Sequence, residues 1–145
     1  MNIEPIAPLE FYRSFAGTGK HGAPMAELMN MTIVEVEHGR LVIASVPDRK
    51  YFNTVGSVHG GYFGTLLDTA MAGAIHTTCK PGMGCVTLEY KVTVVRSMTE
   101  TTGSIRCEGK ILNVGSRVGY AEGKIVDAND KLYAHGTATC LIVQM

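Results

Sequence analysis

Apolar positions recur along this chain with two different periods, and the switches between them mark out its elements. Phe63, Leu66, Leu67, Ala70, Met71, Ala74 and Ile75 fall at the i, i+3, i+4, i+7 spacing of a helix stripe. The other face of that helix carries Gly61, Thr65, Thr69, Ala72 and Gly73, small residues where a solvated helix would show Lys and Glu. Such a helix is expected to be covered on both sides, which leaves its one acid, Asp68, poorly solvated. After Lys80-Pro81-Gly82 the period falls to 2, and Val86, Leu88, Tyr90, Val92 and Val94 alternate with Thr87, Glu89, Lys91 and Thr93. Ile105, Cys107, Gly109 and Ile111 alternate in the same way with polar neighbours. Asn113 to Ser116 reads as a turn, Arg117 to Val126 as extended, and Lys131 to Val143 as a last strand with Leu132, Ala134, Gly136, Ala138, Cys140 and Ile142 on one face.

Upstream of the helix, Met31–Glu37 and Leu41–Val46 flank the turn signal His38-Gly39 and predict a hairpin. Asp48 to Ser57 is polar and contains Gly, so it is expected to be a loop. Residues 1–30 form an N-terminal extension, with a short helix expected over Pro8–Ala16 because Pro is favoured in a first helical turn. Gly17-Thr18-Gly19-Lys20-His21-Gly22 then breaks that helix. It is not a phosphate loop: Ser14 stands where the first Gly is needed, and His21 where Ser or Thr should follow Lys20. The order is helix, two strands, one long helix, four strands. This predicts a single α+β domain over residues 1–145, an antiparallel sheet of about six strands that needs the helix on its face.

Composition narrows the function. The chain has 145 residues, 46% hydrophobic and 18% charged, enough for one well-buried core. Thirteen basic residues balance thirteen acidic ones, so no concentrated positive field points to nucleic acid or an anionic membrane as partner. Met1-Asn2-Ile3-Glu4-Pro5 lacks the basic and apolar regions of a secretory signal, and Val58–Cys79 holds Asp68 and two His, unsuited to lipid. The cysteines Cys79, Cys85, Cys107 and Cys140 include no C-x-x-C pair and are read as small buried hydrophobes. A cytoplasmic protein is expected.

Most catalytic motifs are missing, including any clustered Cys/His metal set. What remains is Asn53, then His59-Gly60-Gly61 where the long helix should begin, then Asp68 within it. The first N–H groups of a helix lack internal partners and carry the positive end of its dipole. Gly60 and Gly61 would let a ligand oxygen approach them closely. Asp68 lies eight residues beyond Gly60, about 12 Å along the axis, too far to act on the same atom within one chain. An antiparallel second copy would bring its own Asp68 opposite Gly60. Spacing alone leaves two readings open, a shared catalytic site or a capped helix with a structural acid.

The run Asn53-x5-His59-Gly60-Gly61-x6-Asp68, followed by Thr87-Leu88-Glu89-Tyr90, resembles the hotdog-fold acyl-CoA thioesterases, in particular the phenylacetate-pathway (PaaI-like) branch. The likeness covers about Met31 to Val143. It implies a sheet wrapped around one central helix, a homo-oligomer (a dimer or a dimer-of-dimers tetramer), and acyl-CoA hydrolysis without cofactor or metal. By that resemblance the Gly60 N–H polarises the thioester carbonyl and Asn53 helps to place the nucleophile or its water. Asp68 of the partner subunit is general base or nucleophile, Thr87 positions water, and His59 supports the loop. CoA would run along Val95, Arg96 and Ser97 and along Asn113, Gly115, Ser116 and Arg117, both arginines meeting phosphates. One departure is visible: Val94 and Arg96-Ser97 stand where the family often has an aromatic residue and an Arg-Pro pair. Two alternatives remain, an acyl-CoA-binding protein without catalysis and a hotdog hydratase or dehydratase. The first would discard the acid; the second would pair His and Asp more closely than His59 and Asp68.

Overall fold

The computed structural model describes residues 4–145; residues 1–3, with the start of the segment read above for a secretory signal, lie outside the described residues. Two short helices come first, α1 (Pro8–Phe15) and α2 (Pro24–Leu28). Each has Pro in its first turn, where the fixed φ suits the helix and no N–H is missed. The hairpin β1 (Thr32–Glu37) and β2 (Arg40–Ser45) follows, then a 3-10 turn at Arg49–Tyr51, the long helix α3 (Gly60–His76), and β3 (Met83–Val94), β4 (Ile105–Val114), β5 (Val118–Asp127) and β6 (Leu132–Gln144). The six strands form one antiparallel sheet in the order β1-β2-β4-β5-β6-β3, with α3 packed against it. This is the hotdog architecture expected from the sequence.

A row of glycines seats the helix. Gly109 pairs with Gly123 and Gly123 with Gly136, so three neighbouring strands present no side chain along one line across the sheet. A Cβ on Gly109 would stand 2.1 Å from the Ala70 carbonyl oxygen, and one on Gly123 would stand 2.9 Å from Met71 Cγ. The helix backbone can therefore lie directly on β4, and the sheet curves around it. Phe63, Leu66, Leu67, Met71 and Ile75 fill the remaining space and are essentially inaccessible. Each contributes roughly 1.5–3 kcal/mol by leaving water.

Four expectations need correction. A second helix, α2, lies within the stretch left unassigned after Gly22. The alternation of β3 does not hold along its length: a bulge between Thr87 and Glu89 takes up one residue, so Val86 and Leu88 are 49% and 59% exposed. Cys85 and Thr87 face α3 before the bulge, and Tyr90 reaches it after, its hydroxyl abutting the Gly64 position. In the single chain the small-residue face of α3 is not covered either; Thr65, Asp68, Thr69 and Ala72 are all partly exposed. Finally, Leu132 and Ile142 at the ends of β6 fall outside its buried stretch from Ala134 to Cys140.

Candidate active site

The start of α3 is built by its neighbours. The Val58 N–H donates to the Met98 carbonyl at 3.1 Å and the His59 N–H to the Tyr51 carbonyl at 2.8 Å, which fixes the approach to the helix. His59 is the N-cap: its Nδ1 accepts the Gly61 N–H at 2.7 Å, and its carbonyl accepts the Tyr62 N–H at 3.0 Å. Nδ1 is then unprotonated and the ring proton sits on Nε2. Gly61 is required for this cap, because a Cβ there would lie 2.9 Å from His59 Nδ1. The Gly60 N–H has no hydrogen-bond partner among the described residues, and apart from its chain neighbours and the backbone of its own helix nothing described lies within 4 Å of where a Gly60 Cβ would be. It is an open donor at the positive end of a 17-residue helix.

Asn53 lies in the preceding loop, but its side chain is occupied there. Oδ1 accepts from the Val55 and Ser57 N–H groups at 2.9 and 3.2 Å, and Nδ2 donates to Ser57 Oγ at 3.2 Å. In the single chain Asn53 shapes the loop that leads to His59.

Asp68 is on the open face of α3, partly exposed, and Thr87 donates to its Oδ1 at 2.7 Å. Oδ2 has no partner among the described residues. The hydroxyls of Thr65 and Thr69 on the same face are turned back onto the carbonyls four residues earlier, so they do not compete for the acid. Cys140 Sγ lies 3.7 Å behind the Thr87 hydroxyl, a contact that no motif announced; only the register of β3 on β6 reveals it. Pairing with Cys140, together with burial, pushes the Cys85 thiol up, and it stays a donor to the Ala72 carbonyl at 3.3 Å. All four cysteines are free.

The residues expected to meet CoA are exposed, but the chain does not gather them. Arg96 lies over the Tyr133 ring, 5.8 Å from its centroid, beside the start of β6. The Arg117 carbonyl accepts the Ile142 N–H near the end of β6. Nine residues of extended chain, roughly 30 Å, separate Tyr133 from Ile142. Val95 and Ser97 go with Arg96, and Asn113, Gly115 and Ser116 with Arg117. Within one chain the two arginines therefore lie near opposite ends of β6. Among the described residues no group of three or more His, Cys, Asp or Glu could hold a metal ion, and no helix is long and apolar enough to cross a membrane.

An open helix N-terminus and a single acid two turns further on, inside a wrapped sheet, define a hotdog protein with a carboxylate on its central helix. The family model of the thioesterase superfamily matches residues 55–134, and the chain belongs to that superfamily. Over 119 residues it is 29% identical to a Saccharolobus solfataricus protein named Putative esterase SSO2140, covering 81% of this chain and 82% of that one. A solved Ralstonia eutropha structure, titled a putative thioesterase and phenylacetic acid degradation-related protein, is 28% identical, with 90% and 98% coverage and a TM-score of 0.78. The Streptococcus mutans protein smu.793, solved bound to acetyl CoA, shares the fold at 22% identity, with 79% and 89% coverage and a TM-score of 0.71.

Proposed function

We propose that this protein is an acyl-CoA thioesterase of the PaaI-like kind, hydrolysing an acyl-CoA to free acid and CoA at sites shared between two copies of the chain. The observation that carries this reading is the Thr87–Asp68 hydrogen bond of 2.7 Å on the open face of α3, with Oδ2 without a partner among the described residues. A carboxylate held at one oxygen and free at the other is arranged to take a proton from water.

The second copy follows from what one chain leaves uncovered. β3 is an edge strand of 12 residues, with apolar Val86 and Leu88 exposed on it, and it borders the open face of α3. A copy laid antiparallel here covers the edge of β3 and the open face of α3. It also sets its own Asp68 opposite the Gly60 N–H, and its Arg117 near the Arg96 end. A dimer, or a tetramer of two dimers, is the state in which the site is complete.

The thioester carbonyl accepts the Gly60 N–H. Asp68 of the partner chain removes a proton as water attacks, the C–O bond forms, and the oxyanion is held by Gly60. As the intermediate collapses the C–S bond breaks and the proton passes to the CoA sulfur. An oriented backbone donor contributes about 2.7–4 kcal/mol to such an oxyanion, and a positioned base roughly 10²–10⁴-fold. His59 keeps the helix end in place, Asn53 the loop before it, and Thr87 the acid. The reaction needs no metal or cofactor.

The test is a panel of aromatic, short-chain and long-chain acyl-CoAs with detection of free thiol, using the full chain. Turnover of at least one ester, lost in Asp68→Asn, is expected. Failure to release thiol from any of them overturns the assignment.

A further inference from the structure

Beside the Gly60–Gly61 helix start lies a shallow groove of about 360 Å³. Met25, Met29, Lys50, Tyr51, Tyr62 and Thr65 line it, together with His59 and Gly61 of the helix start. Its floor is aromatic: Tyr51 and Tyr62 stack with centroids 4.8 Å apart and planes at 21°. Its wall comes from the N-terminal extension, a part of the chain that the proposed chemistry does not use.

That wall is tied to the catalytic helix. Tyr62 donates its hydroxyl to Ser45 Oγ at 2.8 Å, and Ser45 donates to the Met29 carbonyl at 3.1 Å. Tyr62 is 2% exposed and Ser45 4%, so this is a buried polar chain, and breaking it would leave unpaired groups inside. The Met31 N–H adds a 2.8 Å bond to the Ala26 carbonyl. Met29 is thus held in place, while Met25, 54% exposed, overhangs the groove with a flexible side chain.

We infer that this groove receives the acyl group of the substrate, and that α2 with Met29 makes the enzyme selective for apolar acyl groups larger than acetyl. The inference rests on the thioesterase reading. A carbonyl bound at the Gly60 N–H sends two arms outward, acyl and pantetheine. Pantetheine carries amides, and burying them without partners is costly. The groove offers rings and methionine, and of its hydroxyls that of Thr65 is already donated to the Gly61 carbonyl at 2.9 Å and that of Tyr62 to Ser45 at 2.8 Å. Lys50 also lines the groove, and its Nζ is engaged over the Tyr51 ring, 5.1 Å from the centroid. The acyl arm fits here and the amide arm does not.

The experiment compares kcat/KM for acetyl-, hexanoyl- and benzoyl-CoA in wild type, Met25→Glu, Met25→Leu and Leu28→Glu. Leu28 is 71% exposed on the same helix and does not line the groove, so it controls for the added charge. Met25→Glu is expected to lower the hexanoyl and benzoyl values roughly tenfold or more relative to acetyl. Met25→Leu restores the wild-type ratios, and Leu28→Glu keeps them. Equal effects of Met25→Glu on all three esters, or a wild type that hydrolyses acetyl-CoA alone, overturn the groove assignment and leave the thioesterase standing. A wild type that hydrolyses no acyl-CoA overturns both.

Discussion

Thr87 gives its hydroxyl proton to Asp68 Oδ1 at 2.7 Å from the last position of β3 before the bulge at Leu88. In an extended strand successive side chains point to opposite faces. A shift of one residue would turn Thr87 away from α3 and present Val86 or Leu88 to the acid. The register of β3 on β6, with Thr87 opposite Cys140, therefore decides whether Asp68 has a partner at all.

Asp68→Asn keeps the shape and one acceptor oxygen but cannot take a proton at neutral pH. We expect kcat to fall by roughly 10²-fold or more with KM little changed. Thr87→Val removes the donor while keeping the volume; a smaller fall, on the order of tenfold, is expected, since the base is present but no longer held. Steady-state kinetics with thermal melts on the same samples separate this from unfolding. If Asp68 is only structural, turnover per folded molecule stays at wild type and the melting temperature drops.

Two glycines should respond differently to the same substitution. Gly109→Ala places a methyl 2.1 Å from the Ala70 carbonyl, where backbone must move, and should destabilise by at least about 1–3 kcal/mol in denaturant unfolding. Gly60→Ala meets nothing within 4 Å and keeps its N–H, so its unfolding midpoint should match wild type. Any loss of kcat/KM in Gly60→Ala then measures how closely the substrate approaches the helix start.

Acid should weaken the fold through His21. It is 4% exposed, packs edge-on against Tyr12, and neither ring nitrogen has a partner among the described residues. Burial holds its pKa below the ordinary 6.5; Glu27, bound to the N–H groups of His21 and Gly22, acts in the opposite direction but is outweighed. Below 6.5 the unfolded chain binds the proton first, so the stability of the neutral buried ring is lost as pH falls towards the depressed value. Burial moves His76 the same way. The thermal midpoint is expected to drop between about pH 7.5 and about pH 5.5, and His21→Leu to reduce that drop. An unchanged pH slope in His21→Leu would show that His21 is not the group responsible.

The order of elements and the central helix were legible in the sequence because their periods are long and consistent. The helix stripe from Phe63 to Ile75 leaves no alternative period, and the change after Gly82 is abrupt. The bulge at Leu88 was not legible, since a continuous apolar alternation gives no sign that one residue will be left unpaired. The five residues of α2 are too few for periodicity to mark. At the site, the cap at His59 and the place of Asp68 follow from spacing along one helix. The separation of Arg96 from Arg117 depends on which strand lies between them, a fact of sheet order and not of sequence distance. The Tyr62–Ser45–Met29 chain joins three elements far apart in the sequence and was invisible for the same reason.

The shared site can be tested by complementation. Gly60→Pro deletes the proposed oxyanion donor, and the helix should accept it: Gly60 is the first helical residue, where Pro is favoured. His59 already has φ −62° and ψ 139°, the extended conformation that a residue before Pro adopts. Asp68→Asn deletes the proposed base. Each variant alone should be nearly inactive. Mixed in equal amounts with free exchange of chains, half of the dimers carry one chain of each kind. In such a dimer one site combines an intact Gly60 with an intact Asp68 and the other has neither. The mixture should therefore regain about a quarter of wild-type activity. If both groups of a site came from one chain, no pairing would assemble an intact site and the mixture would stay inactive. Exchange is verified separately, by mass shift between tagged and untagged chains, so an inactive mixture with proven exchange rejects the shared geometry while leaving the role of Asp68 to its own kinetics.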